Sequence, residues 1–174
     1  PLPRPKAMGG QDHEGARLAD TESVDVQHLA EMSRGDLVDL FKEGRPVVHL
    51  HGQFGADKVE LVDGPLLVDE LHQLIKLGPA TTELVVLDSC NSYIVGKAIE
   101  VTGVQYSVVA TTALPSVYSK DFFRSFYANL RQSGDAPRAF ELANIETTLR
   151  HGTRGRQFLF FTDHRGNAST VAPT

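Results

Sequence analysis

Three residues at the ends of two apolar segments could together carry out nucleophilic chemistry. Cys90, the single cysteine of the chain, closely follows the apolar segment 84–87, and His51 with Gly52 comes directly after the mostly apolar segment 46–50. A histidine beside a thiol can hold it as the thiolate or relay its proton. The backbone N–H groups of Gly52 and Cys90 are natural donors to a developing oxyanion. The residue types predict a Cys–His dyad, provided that the two segments are neighbouring strands.

The same residues also allow a plainer interpretation. A lone cysteine at the end of a strand is usually a small core residue, and histidines are common at strand ends. From the pattern alone, Cys90 is therefore either a nucleophile or a structural residue. The choice depends on the elements that position it.

Strands and helices alternate along most of the chain. In "SRGDLVDLFKEG", Ser33 is a predicted helix cap with Asp36, and Gly44 is the predicted stop. The segment 119–134 carries an aromatic stripe at helical spacing, which is more typical of a core than of a ligand site. Predicted strands or hairpins cover 45–52, 57–64, 83–89, 104–112 and 156–163, and predicted helices cover 33–44, 68–78, 91–103, 119–134 and 135–152.

This alternation predicts an α/β fold with a mostly parallel sheet that helices cover on both faces. The segment 83–89 is apolar on both faces, as expected for a strand in the middle of such a sheet. In open parallel sheets, ligands lie beyond the carboxyl ends of the strands. Cys90 and His51 would then meet at one edge.

Composition narrows the class of protein. The chain has 174 residues, enough for one domain with a sizeable core, and its net charge of −5 gives no support to a nucleic-acid partner. No apolar run reaches the roughly 20 residues of a membrane span. One cysteine excludes an internal disulfide and a Cys-based zinc site, and the histidines show no H-E-x-x-H spacing. We expect a cytoplasmic protein with no metal and no cofactor.

Three segments are predicted. Residues 1–28 are rich in Pro, Gly and charge, so we expect irregular structure there, with a short strand at Ala16–Ala19. Residues 29–164 form the domain, and residues 165–174 form a polar tail. The chain begins at Pro1, and we expect it to be a fragment of a longer polypeptide.

A set of motifs over about residues 45–162 resembles the CHAT branch of the caspase-like, clan CD cysteine peptidases. The motifs that carry the resemblance are, in order, "PVVHLHGQF", "VELVDGPLLVDEL", "ELVVLDSCNS", "VVATTALPSVYSKDFFRSFYANL" and "QFLFFT". The resemblance implies a caspase-like three-layer α/β/α sandwich, with Cys90 as nucleophile and His51 as base. It also implies a protein substrate and an effector role in defence or cell death, beside sensor or repeat regions of the same larger polypeptide. By the same resemblance, we expect the first strand of that family to be missing from this chain.

The family pattern H-x-x-G-H-G can be placed on this chain in two ways. Alignment without gaps on His49 puts Gln53 where the catalytic histidine belongs and Phe54 where the glycine belongs. Alignment on "HGQF" puts His51 and Gly52 there instead, with the strand shortened by two residues. The second keeps a usable base and is preferred. The first would make the domain a catalytically inactive interaction module, that is, a pseudopeptidase.

Asp88 is a candidate substrate-binding residue. "LDSCNS" resembles the "D-C-C-H-S" stretch of metacaspases, in which the matching aspartate lines the pocket for a basic side chain at P1, the substrate residue before the cleaved bond. A carboxylate at this position could pair with Arg or Lys of a substrate. Alternatively, Asp88 caps the following helix or binds loop amides.

Overall fold

The computed structural model describes residues 27–28, 31–55, 57–78, 81–89, 92–99, 102–111, 116–152 and 158–162. Seven strands and five helices are found in these ranges. The strands are β1 (Gln27–His28), β2 (Val47–His51), β3 (Lys58–Leu61), β4 (Gly64–Leu67), β5 (Leu84–Asp88), β6 (Tyr106–Ala110) and β7 (Phe158–Thr162). The helices are α1 (Arg34–Lys42), α2 (Val68–Leu77), α3 (Tyr93–Ile99), α4 (Ser116–Ser133) and α5 (Ala136–His151).

The main sheet has five strands in the order β1-β2-β5-β6-β7. Strands β1, β2, β5 and β6 are parallel, and β7 runs antiparallel to β6 at the edge. The predicted mixed α/β architecture with a mostly parallel sheet is thus confirmed. Strands β2 and β5 are neighbours, and their register pairs His51 with Asp88.

The local signals in the sequence form the elements they predict. Ser33 and Asp36 make a capping box at the start of α1, in which the Ser33 N–H donates to Asp36 Oδ2 over 2.8 Å. Gly44, just after that helix, has a φ of 66°, a conformation that favours glycine. Asp135 caps α5 by accepting a hydrogen bond from the Arg138 N–H over 3.0 Å.

The sheet separates two apolar cores. One core lies against α1, α2 and α3, and the other lies against α4 and α5. In the second core the aromatic stripe of α4 is buried, as expected from its spacing, and Phe122, Phe123 and Phe126 are fully inaccessible. Leu84 and Val86 of β5 point to this same core, so Asp88, two residues further on, shares that face.

Helix α3 packs closely on the sheet through Gly96. A Cβ added at Gly96 would lie 2.2 Å from Val109 Cγ1, too close for any real contact. The close approach fixes α3, the helix that begins three residues after Cys90, against strand β6. Glycine is needed here for space rather than for backbone freedom.

Two expectations need correction. The segment 1–28 was expected to be irregular, but Gln27–His28 pairs in parallel with the carboxyl end of β2; two residues are too few to show a strand pattern. Helix α4 begins at Ser116, earlier than the predicted 119. The strand predicted at Ala16–Ala19 lies outside the described residues, as does the tail 165–174. None of the helices in the described ranges is long and apolar enough to cross a membrane.

Candidate active site

His51 and Asp88 form a hydrogen-bonded pair at the carboxyl edge of the sheet. The Nδ1 atom of His51 lies 3.0 Å from Oδ2 of Asp88. The contact follows from the sheet, because each residue ends its strand and the register places the two side by side on the α4 face. The His51 side chain is 26 % exposed, whereas that of Asp88 is 8 % exposed, so the pair reaches the surface through the imidazole.

Both carboxylate oxygens of Asp88 have hydrogen-bond partners. Ser119, on the first turns of α4, donates its hydroxyl to Oδ1 over 2.8 Å, while His51 contacts Oδ2. Burial alone would raise the pKa of Asp88. The hydrogen bond with His51, the nearby His49 and the bond from Ser119 outweigh burial, so the pKa of Asp88 lies below its ordinary value. Asp88 is therefore an anion at neutral pH.

The charge on Asp88 determines which nitrogen of His51 carries the proton. An ionised carboxylate accepts hydrogen bonds and cannot donate one. The Nδ1 atom of His51 must then be the donor, and Nε2 is the basic nitrogen of the neutral ring. A carboxylate on Nδ1 also stabilises the imidazolium that forms when Nε2 takes a proton. The pair is thus built to accept a proton at Nε2.

A second histidine lies behind this pair. His49 is two residues before His51 on the same face of β2 and is 2 % exposed. Its ring packs against Phe123 with centroids 4.7 Å apart, and its Nδ1 lies 2.8 Å from the hydroxyl oxygen of Tyr127. The opposite nitrogen, Nε2, lies 4.0 Å from Oδ2 of Asp88. His49 thus packs in the core and also lies close to Asp88.

The loop after β2 is fastened to the end of β5. The Phe54 N–H donates to the hydroxyl of Ser89 over 3.2 Å, and Phe54 is buried. Phe54 also forms a bridge with Val59 of β3, which ties the loop to the β3–β4 hairpin. These contacts hold Gly52 between the last residue of β2 and an anchored loop. Ser89, the anchor, directly precedes Cys90 in the sequence.

The predicted site residues differ in what can be said of their positions. His51 and Asp88 are brought together, and Gly52 directly follows His51. Cys90, predicted as nucleophile and as a backbone oxyanion donor, lies outside the described residues. Gln53, the alternative base position, is exposed in the loop beyond the strand. Across the described ranges, no group of three or more His, Cys, Asp or Glu side chains could hold a metal ion.

Sequence reasoning missed two partners that α4 supplies. Ser119 and Tyr127 both lie on the buried face of that helix, 4 % exposed each. A hydroxyl at a buried position must find a hydrogen-bond partner, and Ser119 stands three and four residues before two buried phenylalanines. A polar residue on the apolar stripe was therefore the available signal. Its partner could not be identified without the packing of α4 on the sheet.

Comparison with known proteins gives no name to this arrangement. No family model matches the chain, and no curated protein is significantly similar to it. The functional interpretation therefore depends on the geometry and on the residues themselves.

Proposed function

We propose that the chain is a cysteine endopeptidase in which Cys90 is the nucleophile and His51 is the base. The observation that carries the proposal is the 3.0 Å contact between His51 Nδ1 and Asp88 Oδ2 at the carboxyl edge of the sheet. Asp88 ends β5, and the only cysteine of the chain follows two residues later. A base oriented by a carboxylate, beside the strand that leads to a thiol, supports nucleophilic catalysis by that thiol.

The proposed reaction has two stages. Nε2 of His51 takes the thiol proton of Cys90, and the sulfur forms a bond to the carbonyl carbon of the substrate peptide. The N–H groups of Gly52 and Cys90 hold the oxyanion until the C–N bond breaks and the leaving amine takes the proton from Nε2. Water, activated by the same nitrogen, then hydrolyses the thioester and restores the thiol.

In this scheme Asp88 is a positioning residue. Its two oxygens already contact His51 and Ser119, and its side chain is only 8 % exposed. A substrate guanidinium would have to enter this buried site and compete with those partners. The geometry therefore favours orientation of His51 over recognition of a basic P1 residue. The preference for Arg or Lys at P1 stays a prediction for a substrate library to decide.

The geometry also supports His51 over Gln53 as the family's histidine position. His51 ends β2 in register with Asp88, whereas Gln53 is exposed and its carbonyl accepts a hydrogen bond from Glu60 N–H of the hairpin. Position 53 lies in the loop, two residues beyond the end of β2, where the register with β5 no longer places a side chain next to Asp88. The proposal of a working base therefore has more support than that of a pseudopeptidase.

The wider role rests on the family resemblance. The helices on both faces of the sheet and the hairpin after the His-Gly strand are consistent with a caspase-like α/β/α sandwich. By that resemblance we propose a cytoplasmic effector domain in defence or cell-death signalling. Its partners would be a protein substrate and sensor or repeat regions of a longer polypeptide, with no nucleic acid or membrane bound directly.

The test is a fluorogenic peptide library with every residue at P1. Parent protein should cleave members of the library, and Cys90→Ala and His51→Ala should abolish cleavage while circular dichroism shows a retained fold. Gln53→His should bring no gain. Activity that appears only in Gln53→His would mean that the parent is a pseudopeptidase, and full activity in Cys90→Ala would end the proposal.

A further inference from the structure

The buried pair of His49 and Tyr127 has no role in the scheme above, although it lies directly behind Asp88. His49 is 2 % exposed and Tyr127 is 4 % exposed, so the energetic cost of burying their polar atoms is substantial. A core position between β2 and α4 could be filled by apolar residues at no such cost. The direction of the hydrogen bond between the two side chains indicates what they do.

The proton in that hydrogen bond belongs to Tyr127. Burial, together with the negative charge of Asp88, raises the pKa of Tyr127 well above its ordinary value of 10, so the phenol stays protonated. Burial lowers the pKa of His49 from 6.5 to about 4, although Asp88 opposes the change, so its ring is neutral at physiological pH. Among the described residues His49 Nδ1 is the one hydrogen-bond partner of this buried hydroxyl, so its hydrogen is satisfied only if Tyr127 donates to Nδ1 over 2.8 Å.

The tautomer of His49 follows from this direction. Since Nδ1 accepts, the ring hydrogen must be on Nε2. That nitrogen lies 4.0 Å from Asp88 Oδ2, beyond hydrogen-bond distance, and has no hydrogen-bond partner among the described residues. A buried N–H without an acceptor is rare in folded proteins and calls for a reason. The partial positive charge of this N–H lies near the carboxylate, while Oδ2 remains bonded to His51.

We infer that Tyr127 and His49 are positioning residues for the proposed catalytic pair. Tyr127 holds His49 in the Nε2–H tautomer, and this N–H dipole stabilises the Asp88 anion near Oδ2, the same oxygen that His51 contacts. The inference rests on the proposed function, since its purpose is to keep Asp88 ionised for His51. In the reversed tautomer a nitrogen lone pair would face the carboxylate and destabilise it.

The groups that face Asp88 come from two elements. Strand β2 supplies His49 and His51, and helix α4 supplies Ser119 and Tyr127. Within the described ranges, the two histidines and the tyrosine are the titratable ones. Ser119 bonds to Oδ1 and cannot substitute for a dipole at Oδ2. The state of the anion near Oδ2 is then controlled by His49 and His51.

The first experiment is nitrogen NMR of the imidazole rings in the whole chain at neutral pH. The expected result is that His49 carries its hydrogen on Nε2. Hydrogen on Nδ1 would overturn the inference, because Tyr127 would then not donate and the lone pair would face Asp88. This readout needs neither a substrate nor a reactive thiol.

The second experiment follows alkylation of Cys90 by iodoacetamide across pH in parent, Tyr127→Phe and Tyr106→Phe. The acid limb is the pH range in which the alkylation rate rises from its low value. We expect Tyr127→Phe to move this limb upward by about 0.5–1 pH unit, the shift expected when one neutral dipole is lost. Tyr106→Phe is the matched control, because Tyr106 begins β6 at the amino-terminal ends of the parallel strands and its hydroxyl bonds to exposed Gln105. It should leave the acid limb unchanged.

A conservative pair at position 49 covers the case in which Tyr127→Phe does not fold. His49→Gln keeps an acceptor for the Tyr127 hydroxyl and an N–H for Asp88, so it should retain the parental acid limb, whereas His49→Leu should shift it upward. Equal limbs in Gln and Leu variants would overturn the inference. If alkylation responds to His51→Ala but not to Tyr127→Phe, only this inference fails; if it ignores His51→Ala, the proposed function fails.

Discussion

Among the described residues, two histidine–aspartate pairs are hydrogen-bonded over nearly equal distances but differ in their surroundings. His51 Nδ1 lies 3.0 Å from Asp88 Oδ2, and His151 Nε2 lies 2.8 Å from Asp121 Oδ2. The first pair joins two strand ends at the edge of the sheet. The second joins α4 to the last residue of α5, where the Tyr118 ring packs at a tilt against the His151 ring with centroids 4.6 Å apart.

The difference lies in how each carboxylate is compensated. Asp121 is 19 % exposed, and the guanidinium groups of Arg124 and Arg150 lie 3.9 and 3.8 Å from its Oδ1. Its charge is shared among permanent cations, as in a structural ion-pair cluster. Asp88 has a serine hydroxyl and two histidines around it among the described residues, and the pKa of its carboxyl is held below the ordinary value. A histidine–aspartate distance alone therefore does not mark a catalytic pair.

The largest expected effect comes from neutralising one aspartate at a time. Asp88→Asn should lower the proposed peptidase activity by about 10³-fold, because the amide can stabilise the wrong tautomer of His51 and cannot stabilise its cation. Asp121→Asn makes the matching substitution in the other pair and should leave activity within about twofold, since the side chains that contact Asp121 are on α4 and α5 rather than on the sheet. Comparable losses of kcat/KM in both variants would mean that the surroundings of Asp88 and Asp121 do not distinguish a catalytic pair from a structural one.

The buried histidine behind Asp88 should make stability depend on pH. The unfolded chain binds a proton at His49 below about pH 6.5, whereas the folded protein does so only below about 4. Between these values the unfolded state binds more protons, so the free energy of unfolding falls as pH falls, by about 3 kcal/mol in total. His49→Gln should remove this part of the slope.

Urea unfolding at several pH values measures that slope in both proteins. Above neutral pH the difference between parent and His49→Gln should become constant, because His49 is then neutral in both states. A parental slope that survives in His49→Gln would show that His49 is not buried as a neutral ring.

A smaller effect is expected for the hydroxyl on the other oxygen of Asp88. Ser119→Ala leaves the buried Oδ1 without this donor and should cost about 1–3 kcal/mol of stability. It should also raise the pKa of Asp88. The stability that Asp88 contributes is present above about 3.8 and is lost as pH falls below it. In Ser119→Ala the loss should still begin near 3.8, where the unfolded chain takes up a proton, but it should be smaller and complete at a higher pH.

Ser125→Ala is the matched control on the same helix. Its hydroxyl donates to Glu146 over 2.8 Å, in a part-buried contact away from Asp88. We expect Ser125→Ala to lose less stability than Ser119→Ala. We also expect its free energy of unfolding to depend on acidic pH as that of the parent does. Urea unfolding at acidic pH measures both. An equal shift in both serine variants would show that the acid profile does not report on Asp88.

Much of the framework could be predicted because its signals are local. The capping box at Ser33 and the apolar segment before Asp88 each determine an element from neighbouring residues alone. The meeting of His51 with Asp88 required one further fact, the adjacency of β2 and β5, which are not consecutive strands. Strand ends could be placed at the correct edge from the alternation of elements, but their order across the sheet comes from packing.

The role of Asp88 shows where sequence reasoning ended. From the chain alone it was a candidate for substrate binding or helix capping, because its partners are distant: His51 is 37 residues before it and Ser119 is 31 residues after it. Tyr127 and His49, 78 residues apart, could not be joined at all without the docking of α4 on β2. Residue types predicted the kind of chemistry, and tertiary packing assigned the hydrogen bonds.

The most direct test of the central claim is the pH dependence of Cys90 alkylation, which is unambiguous because the chain has one cysteine. If His51 is its base, parent protein should react fast well below pH 8.5, about the ordinary pKa of a free thiol. His51→Ala should react only as pH approaches that value, and His151→Ala, from the other histidine–aspartate pair, should behave as the parent does. Superimposable profiles for parent and His51→Ala would contradict the account.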